Sequence, residues 1–208
     1  MTERRFTPLA MLLPVIALLM ALCGCLGRSQ PPRFYLMTPI SSIPAEGTAA
    51  GIKEGLRIGV GPIFIPEYVD RAQIVTRLSS HELALAEFNQ WSEPLKESIP
   101  RILGENLSSL LSTDYIYMYP WLGSTPIDYQ IWMDITRLDA ELGGTAVLTA
   151  RWRLLPGDSK EILLVKYSTI TQPTGGADYA DLVAAESKAL EQLSREIAAA
   201  IKAIAQGK

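Results

Sequence analysis

Two cysteines near the amino terminus are the residues of this chain best suited to covalent chemistry. The stretch Leu22-Cys23-Gly24-Cys25 follows Arg4, Arg5 and a short apolar run from Leu9 to Leu22. This run is interrupted by Pro14 and is too short to cross a bilayer as a helix, which needs about 20 apolar residues. A basic start, a short apolar core and small residues at its end are typical of a secretory signal peptide.

The spacing around Cys25 predicts lipidation. An apolar residue at −3, Gly24 at −1 and Cys25 at +1 form the pattern of a bacterial lipobox. We therefore expect residues 1–24 to be a lipoprotein signal peptide that is cleaved between Gly24 and Cys25, leaving Cys25 acylated. The alternatives are an ordinary signal peptide with incidental cysteines, or an uncleaved anchor. Acyl chains contribute about 0.8 kcal/mol per buried CH₂, so several chains on one residue would hold the protein firmly at the membrane. Leu26, rather than Asp, after the cysteine favours the outer membrane over retention at the inner one.

The remaining sequence lacks the residue patterns of common catalytic sites. Its one histidine, His81, falls in a predicted turn, and a general base needs a nucleophile and an orienting partner nearby. No zinc-protease, nucleophile-elbow or phosphate-loop pattern is present in the sequence. We therefore predict no catalytic residue, no metal ligand and no cofactor. Glu67 and Asp70, next to Arg71, leave open a hydrolase that uses carboxylates alone, although a local salt bridge is the favoured interpretation.

Size and charge limit the class of protein further. Removal of residues 1–24 from the 208 leaves 184 residues, enough for one domain with a substantial core. The removed segment contains Glu3, Arg4 and Arg5, so 19 basic and 22 acidic side chains become 17 and 21. An acidic chain without a basic block argues against a nucleic-acid partner.

Alternating apolar residues predict a series of short strands. These strands cover residues 33–37, 56–60, 73–78, 82–88, 115–119, 129–136, 145–155 and 161–171. Gly61-Pro62 should break or bulge the second strand, because proline donates no ladder hydrogen bond. Gly143-Gly144 predicts a tight hairpin, so the last three strands should form an antiparallel meander. Residues 38–55 are rich in Pro, Ser, Gly and Ala and are predicted to form a loop.

Two segments have the apolar spacing of amphipathic helices. Ser92-Glu93-Pro94 is a good helix start, with Ser92 or Glu93 as the cap, and the helix should continue through Ser112. Pro100 should kink it or delay its start. Asp178 is the predicted cap of a long second helix. These elements indicate an α+β fold, with an antiparallel or possibly mixed sheet and two main helices on one face. We expect one domain over residues 33–208, joined to Cys25 by a lipidated tether over residues 25–32.

The tryptophans suggest where a partner could bind. Trp132 is predicted to lie on the strand face opposite the apolar residues, where it could anchor an interface unless a helix covers that face. Trp152 is in phase with the core. Trp91 and Trp121 fall at the ends of elements, where tryptophan either covers a core or contacts a partner.

Several segments resemble one protein family. Residues 60–77, VGPIFIPEYVDRAQIVTR, are similar to the signature of PqiC/YmbA-type ABC-transport auxiliary lipoproteins. Further similarity lies in Trp91–Leu95, in Tyr119-Pro120-Trp121, in Tyr179–Val183 and in the pattern from Leu193 to Ala198. The lipobox and the early Phe34-Tyr35-Leu36 strand also fit this family.

The resemblance implies an outer-membrane lipoprotein that faces the periplasm and serves an MCE-type (mammalian cell entry) lipid-transport system. It implies a non-enzymatic docking or receiving role toward a periplasmic MCE-domain protein, and a homo-oligomer that would suit a ring-shaped partner. Tyr68, Asp70, Arg71, Trp91 and Trp121 are our predicted contact residues, because loops placed by a rigid sheet carry function and Tyr, Trp and Arg concentrate binding energy. The alternative is a lipoprotein that itself carries a lipid between sheet and helices.

Overall fold

The structure, a computed structural model, describes residues 30–41, 55–157 and 161–207. The predicted signal peptide, Cys25 and most of the predicted loop over residues 38–55 lie outside these ranges. The chain divides into two compact units, Met1–Pro31 and Pro32–Lys208. Every strand and helix described below belongs to the second unit.

One curled, mixed sheet contains all of the described strands. Its strands are β1 (Arg33–Tyr35), β2 (Ile58–Phe64), β3 (Gln73–Arg77), β4 (Leu83–Trp91), β5 (Ile116–Met118), β6 (Tyr129–Ala140), β7 (Thr145–Pro156) and β8 (Leu164–Pro173). The order is β1-β4-β3-β6-β2-β5, and β7 and β8 continue the sheet from β6. This arrangement confirms the predicted α+β class, with the mixed form of the sheet.

The long strand β6 organises the sheet. One end pairs in parallel with β2, with Ile58 opposite Tyr129, and the far end pairs in parallel with β3, with Thr76 opposite Ala140. Its other edge pairs antiparallel with β7, which in turn pairs antiparallel with β8. The predicted meander is therefore confirmed.

The glycine–proline pair in β2 produces the irregularity expected from the sequence. The strand continues through it, but its pairing with β6 shifts register between Val60 and Ile63. Gly61 has a φ of +114° and is joined to Pro62 by a cis peptide bond. A glycine can adopt this backbone conformation without a Cβ clash, so the extended chain resumes beyond the shift.

Two helices pack on one face of the sheet: α1 (Leu95–Leu111) and α2 (Tyr179–Gln206). Asp178 caps α2 as predicted, accepting a hydrogen bond from the Asp181 amide. The cap predicted for α1 is wrong, because Pro94 holds this position with an extended ψ of 134° and no side-chain cap bond. Its carbonyl instead accepts from the amides of Glu97 and Ser98. Pro100 lies inside α1, which continues through it.

The core lies between the helices and the inner sheet face. Ile131, Met133 and Ile135 alternate along β6 and are fully buried, as is Trp152 on β7. They belong to one cluster with Leu103, Leu107, Leu190, Leu193 and Ile197 of the helices. Among the described residues, no helix is long and apolar enough to span a bilayer.

Candidate partner-binding site

Three of the five predicted contact residues line one cavity. The loop after β2 and the junction between β4 and α1 enclose a space of about 320 Å³. It is lined by Asp70, Arg71, Ala72, Trp91, Ser92, Glu93 and Pro94. We call it the loop–helix cavity. Its lining thus combines residues that are some twenty positions apart in the sequence.

Hydrogen bonds to the backbone place Trp91 at the cavity. As the last residue of β4, Trp91 donates its amide to the carbonyl of Ala72 at 2.7 Å, which fixes the end of the loop against the strand. Tyr35 of β1 lies opposite Trp91, and its carbonyl accepts from the Ser92 amide at 2.8 Å. The Trp91 side chain is only 8% exposed, so it covers the core and forms part of the cavity wall.

Ion pairs connect both sides of the cavity to α1. Lys96 pairs with Asp70, and Arg101 pairs with Glu93. Asp70 is thus paired across to the helix, not with its neighbour Arg71. Arg71 is exposed and makes no ion pair with the described residues. An arginine beside a tryptophan surface is suited to a partner carboxylate next to an apolar group.

Tyr68 comes from the same loop but its hydroxyl is directed to the sheet. It donates to Asp139 Oδ2 at 2.8 Å and accepts from the Leu138 amide at 3.2 Å. Burial raises the pKa of Tyr68 above its ordinary value. The hydroxyl therefore helps to hold the loop against β6. A partner could contact only the remaining surface of the ring.

The acceptor in this contact, Asp139, is a buried carboxylate bound by two arginines. Arg77 donates to both carboxylate oxygens, at 2.8 and 2.7 Å, and Arg137 donates to Oδ1 at 2.9 Å. Burial alone would raise the pKa of Asp139, but these hydrogen bonds and that from Tyr68 lower it below its usual range. Asp139 gave no sequence signal, because its partners Arg77 and Tyr68 are 62 and 71 residues away.

Trp121, the fifth predicted contact residue, lies elsewhere. It packs over Gly59 of β2, where an added Cβ would meet the indole at 3.0 Å, and its ring meets Tyr119 edge-on at 5.5 Å. Trp132 lies on the outer sheet face as predicted, half-buried between Phe64 and the guanidinium of Arg153. These aromatic residues form a surface separate from the loop–helix cavity.

The other titratable side chains that bear on chemistry are His81 and the buried carboxyl of Glu186. Among the described residues, no three His, Cys, Asp or Glu side chains form a group suited to a metal ion. His81 is exposed. Burial raises the pKa of Glu186 on α2 to about 8, and its Oε2 has no hydrogen-bond partner among the described residues. The sequence analysis missed this residue, which lies in the apolar stripe of its helix.

The chain belongs to the ABC-type transport auxiliary lipoprotein components, a family whose sequence pattern it matches over residues 35–198. The described cavity and the Tyr68–Asp139 contact both lie within this span. This match confirms the family indicated by the sequence motifs, and members of the family are named for transport rather than for an enzymatic activity.

Named relatives agree with the family, and solved structures share the fold. The chain is 24% identical over 134 residues to the intermembrane transport lipoprotein PqiC of Escherichia coli. These aligned residues cover 64% of this chain and 68% of that protein. The PqiC of Shigella flexneri matches with the same figures. The fold is similar to that of protein XCC0632 from Xanthomonas campestris, with a TM-score of 0.63 and 17% identity over 84% of this chain and 98% of that one. An uncharacterised protein has a TM-score of 0.65, with 17% identity over 83% and 99% of the two chains.

Proposed function

We propose that this protein is a lipid-anchored docking component of an MCE-type intermembrane transport system. Acylated Cys25 would hold it on the periplasmic face of the outer membrane, where it would bind a periplasmic MCE-domain protein and contribute to membrane integrity. Family membership supports the transport role. A homo-oligomer would let several weak contacts act together on a ring-shaped partner.

The observation that carries the docking role is the loop–helix cavity. Its two sides are joined to α1 by ion pairs, whereas Arg71 in its lining makes no ion pair with the described residues. A cavity whose lining includes tryptophan and arginine has the composition of a binding hot spot. The cavity is small, so we propose that it receives one or two side chains of the partner and not a lipid chain.

The alternative of a lipid carrier has less support from the structure. The centre of the space between the sheet and the helices is filled by side chains that are fully buried, including Trp152, Met133 and Ile131. A lipid bound in that space would have to displace this core. One lipid molecule per chain in the purified protein would nevertheless favour the carrier.

Crosslinking of the acylated protein in native envelopes, followed by mass spectrometry, tests the docking role. We expect an MCE-domain protein in stoichiometric yield, and a yield at least several-fold lower for Arg71→Ala at an unchanged melting temperature. Lys188→Ala is the matched control, because it removes an exposed cation from α2 without touching the cavity. Full yield with Arg71→Ala would contradict the cavity as the contact site, and absence of any MCE-domain protein would contradict the docking role itself.

A further inference from the structure

Two neighbouring turns emerge at one end of the sheet. Strands β3 and β6 run parallel with Thr76 opposite Ala140, so the turn after β3 and the turn after β6 lie at the same end. The loop after β8 is bonded to the turn after β6, because the Gly143 amide donates to the carbonyl of Gly176 and the Thr174 amide donates to that of Gly144, both at 3.0 Å. The turns after β3 and β6 and the loop after β8 therefore lie at this end of the sheet.

Exposed leucines concentrate at this end. Leu78 and Leu142 each lie two residues beyond the paired Thr76 and Ala140, and they are 60% and 41% exposed. Leu83 and Leu85 at the start of β4 are also exposed. We call these four residues the leucine tip. Single exposed leucines are common on soluble proteins, but several on adjoining turns mark a contact surface.

The direction of β1 shows from which side the chain enters the sheet. Strand β1 runs parallel to β4, with Arg33 opposite Asn89, and β4 begins at Leu83 in the leucine tip. Both strands therefore run away from the tip, and the chain enters β1 from the side of the tip. The six residue steps from Leu83 to Asn89 span about 20 Å.

The length of the tether limits how far the membrane can be. From Cys25 to Arg33 there are eight residue steps, which reach at most about 28 Å when fully extended. The tip already extends about 20 Å from the level of Arg33 in the direction from which the chain enters. The fully extended length of the tether thus exceeds this distance by about 8 Å, so the tether is long enough for the tip to reach the surface that holds Cys25.

We propose that the leucine tip rests on the lipid surface that holds the acylated Cys25. The inference depends on the proposed lipid anchor, and it assigns an orientation to the domain that the anchor alone would not give. The exposed charged residues of the two turns include Glu82 and Glu141, whereas Arg77 is paired with Asp139. The tip thus offers leucine contacts beside acidic side chains, without attraction to anionic lipid, and its contact with the surface depends on the high effective concentration that the anchor provides.

Spin labels placed at the two ends of the sheet test this orientation. The acylated full chain is reconstituted in phosphatidylcholine nanodiscs with a nitroxide on Ser80→Cys at the tip, or on Ser124→Cys at the opposite end as the control. Acylation leaves the mature chain without any other free thiol. We expect the ratio of oxygen to water-soluble nickel accessibility to be several-fold higher at position 80 than at position 124. Adding Leu78→Ser and Leu142→Ser should remove most of this difference at an unchanged melting temperature.

The possible outcomes distinguish a failure of the proposed orientation from a failure of the proposed lipid anchor. Mass spectrometry of the purified protein reports acylation of Cys25 first, and a protein without acyl chains would contradict the anchor regardless of the labels. An acylated protein with equal, aqueous ratios at both positions would overturn the orientation and leave the anchor intact. Protection of position 80 from both reagents, with dipolar coupling between labels, would overturn it in favour of a second copy of the chain at the tip.

Discussion

At the residue scale, the Tyr68 hydroxyl joins the loop after β2, which lines the loop–helix cavity, to buried groups of β6. It donates to Asp139, which two arginines also bind, and it accepts from the Leu138 amide. Removal of this hydroxyl leaves the buried Leu138 amide without its acceptor and takes one of two hydrogen bonds from Asp139 Oδ2, which Arg77 still binds. Unsatisfied buried groups of this kind cost more than an ordinary hydrogen bond contributes.

We therefore expect Tyr68→Phe to lower the free energy of unfolding by about 1–3 kcal/mol. Urea titration followed by tryptophan fluorescence would measure the change. Tyr167→Phe is the matched control, because Tyr167 is 69% exposed on β8 and its ring contact with Arg151 does not need the hydroxyl. Equal stability of the Tyr68→Phe and Tyr167→Phe variants would show that the Asp139 contact does not hold the loop.

Glu186 predicts a pH dependence of stability. Burial raises the pKa of this carboxyl to about 8, so the folded protein holds it neutral whereas the unfolded chain ionises it near 4.5. Its contribution is fully present below pH 4.5 and is lost progressively as the pH rises to about 8. The slope within this window approaches about 1.4 kcal/mol per pH unit for a single group.

The variant Glu186→Gln should therefore be more stable than the parent above neutral pH, by an amount on the order of a few kcal/mol at pH 8. The difference in melting temperature between the two proteins should grow from pH 5 to pH 8 and then level off. Glu191→Gln, on the same helix but paired with Arg195 at the surface, provides the control. A difference that does not vary with pH would mean that Glu186 ionises in the folded protein.

At the element scale, Asp178 shows how a local sequence signal specifies a helix end. Its side chain accepts from the Asp181 amide at 2.9 Å and satisfies one of the unpaired donors of the first turn of α2. Asp178→Ala should cost about 1 kcal/mol of stability, and Asp178→Ser should restore most of it, because serine caps nearly as well. Thermal unfolding of the three proteins measures this order. Equal losses for Ala and Ser would mean that charge near the helix end matters more than the cap bond.

Elements with local signals, and the pairing of strands joined by a tight turn, could be predicted from the sequence, whereas the pairing of distant strands could not. The meander was accessible because Gly143-Gly144 closes a hairpin between alternating strands. The parallel pairs of β6 with β2 and β3 join segments that are distant in sequence, and alternation says nothing about which strands become neighbours. The same reason applies to the site: Arg71 and Trp91 could be named individually, but the cavity that unites them depends on the loop closing onto the end of β4.

At the scale of the whole molecule, the helices cover one face of the sheet and leave the other to solvent. Trp132, Phe64 and Arg153 contact one another on the uncovered face, and the loop–helix cavity lies at the junction of β4 and α1. A domain with two such surfaces can bind a partner and neighbouring copies at once. If Cys25 carries the proposed lipid anchor, the membrane to which the protein is sorted determines where these surfaces are presented.

The residue after the acylated cysteine tests this sorting. Leu26 is expected to allow export to the outer membrane, and Leu26→Asp should retain the protein at the inner membrane. Both proteins would carry the same acyl anchor, so their membrane affinity is equal. A difference in location would therefore report recognition of residue 26 during sorting and not the strength of lipid binding. Density-gradient separation of the two membranes measures the distribution, with Leu26→Asn as the uncharged control of similar size. Recovery of the parent protein in the inner membrane would contradict the proposed outer-membrane location, and identical distributions of all three proteins would contradict the role of residue 26 in sorting.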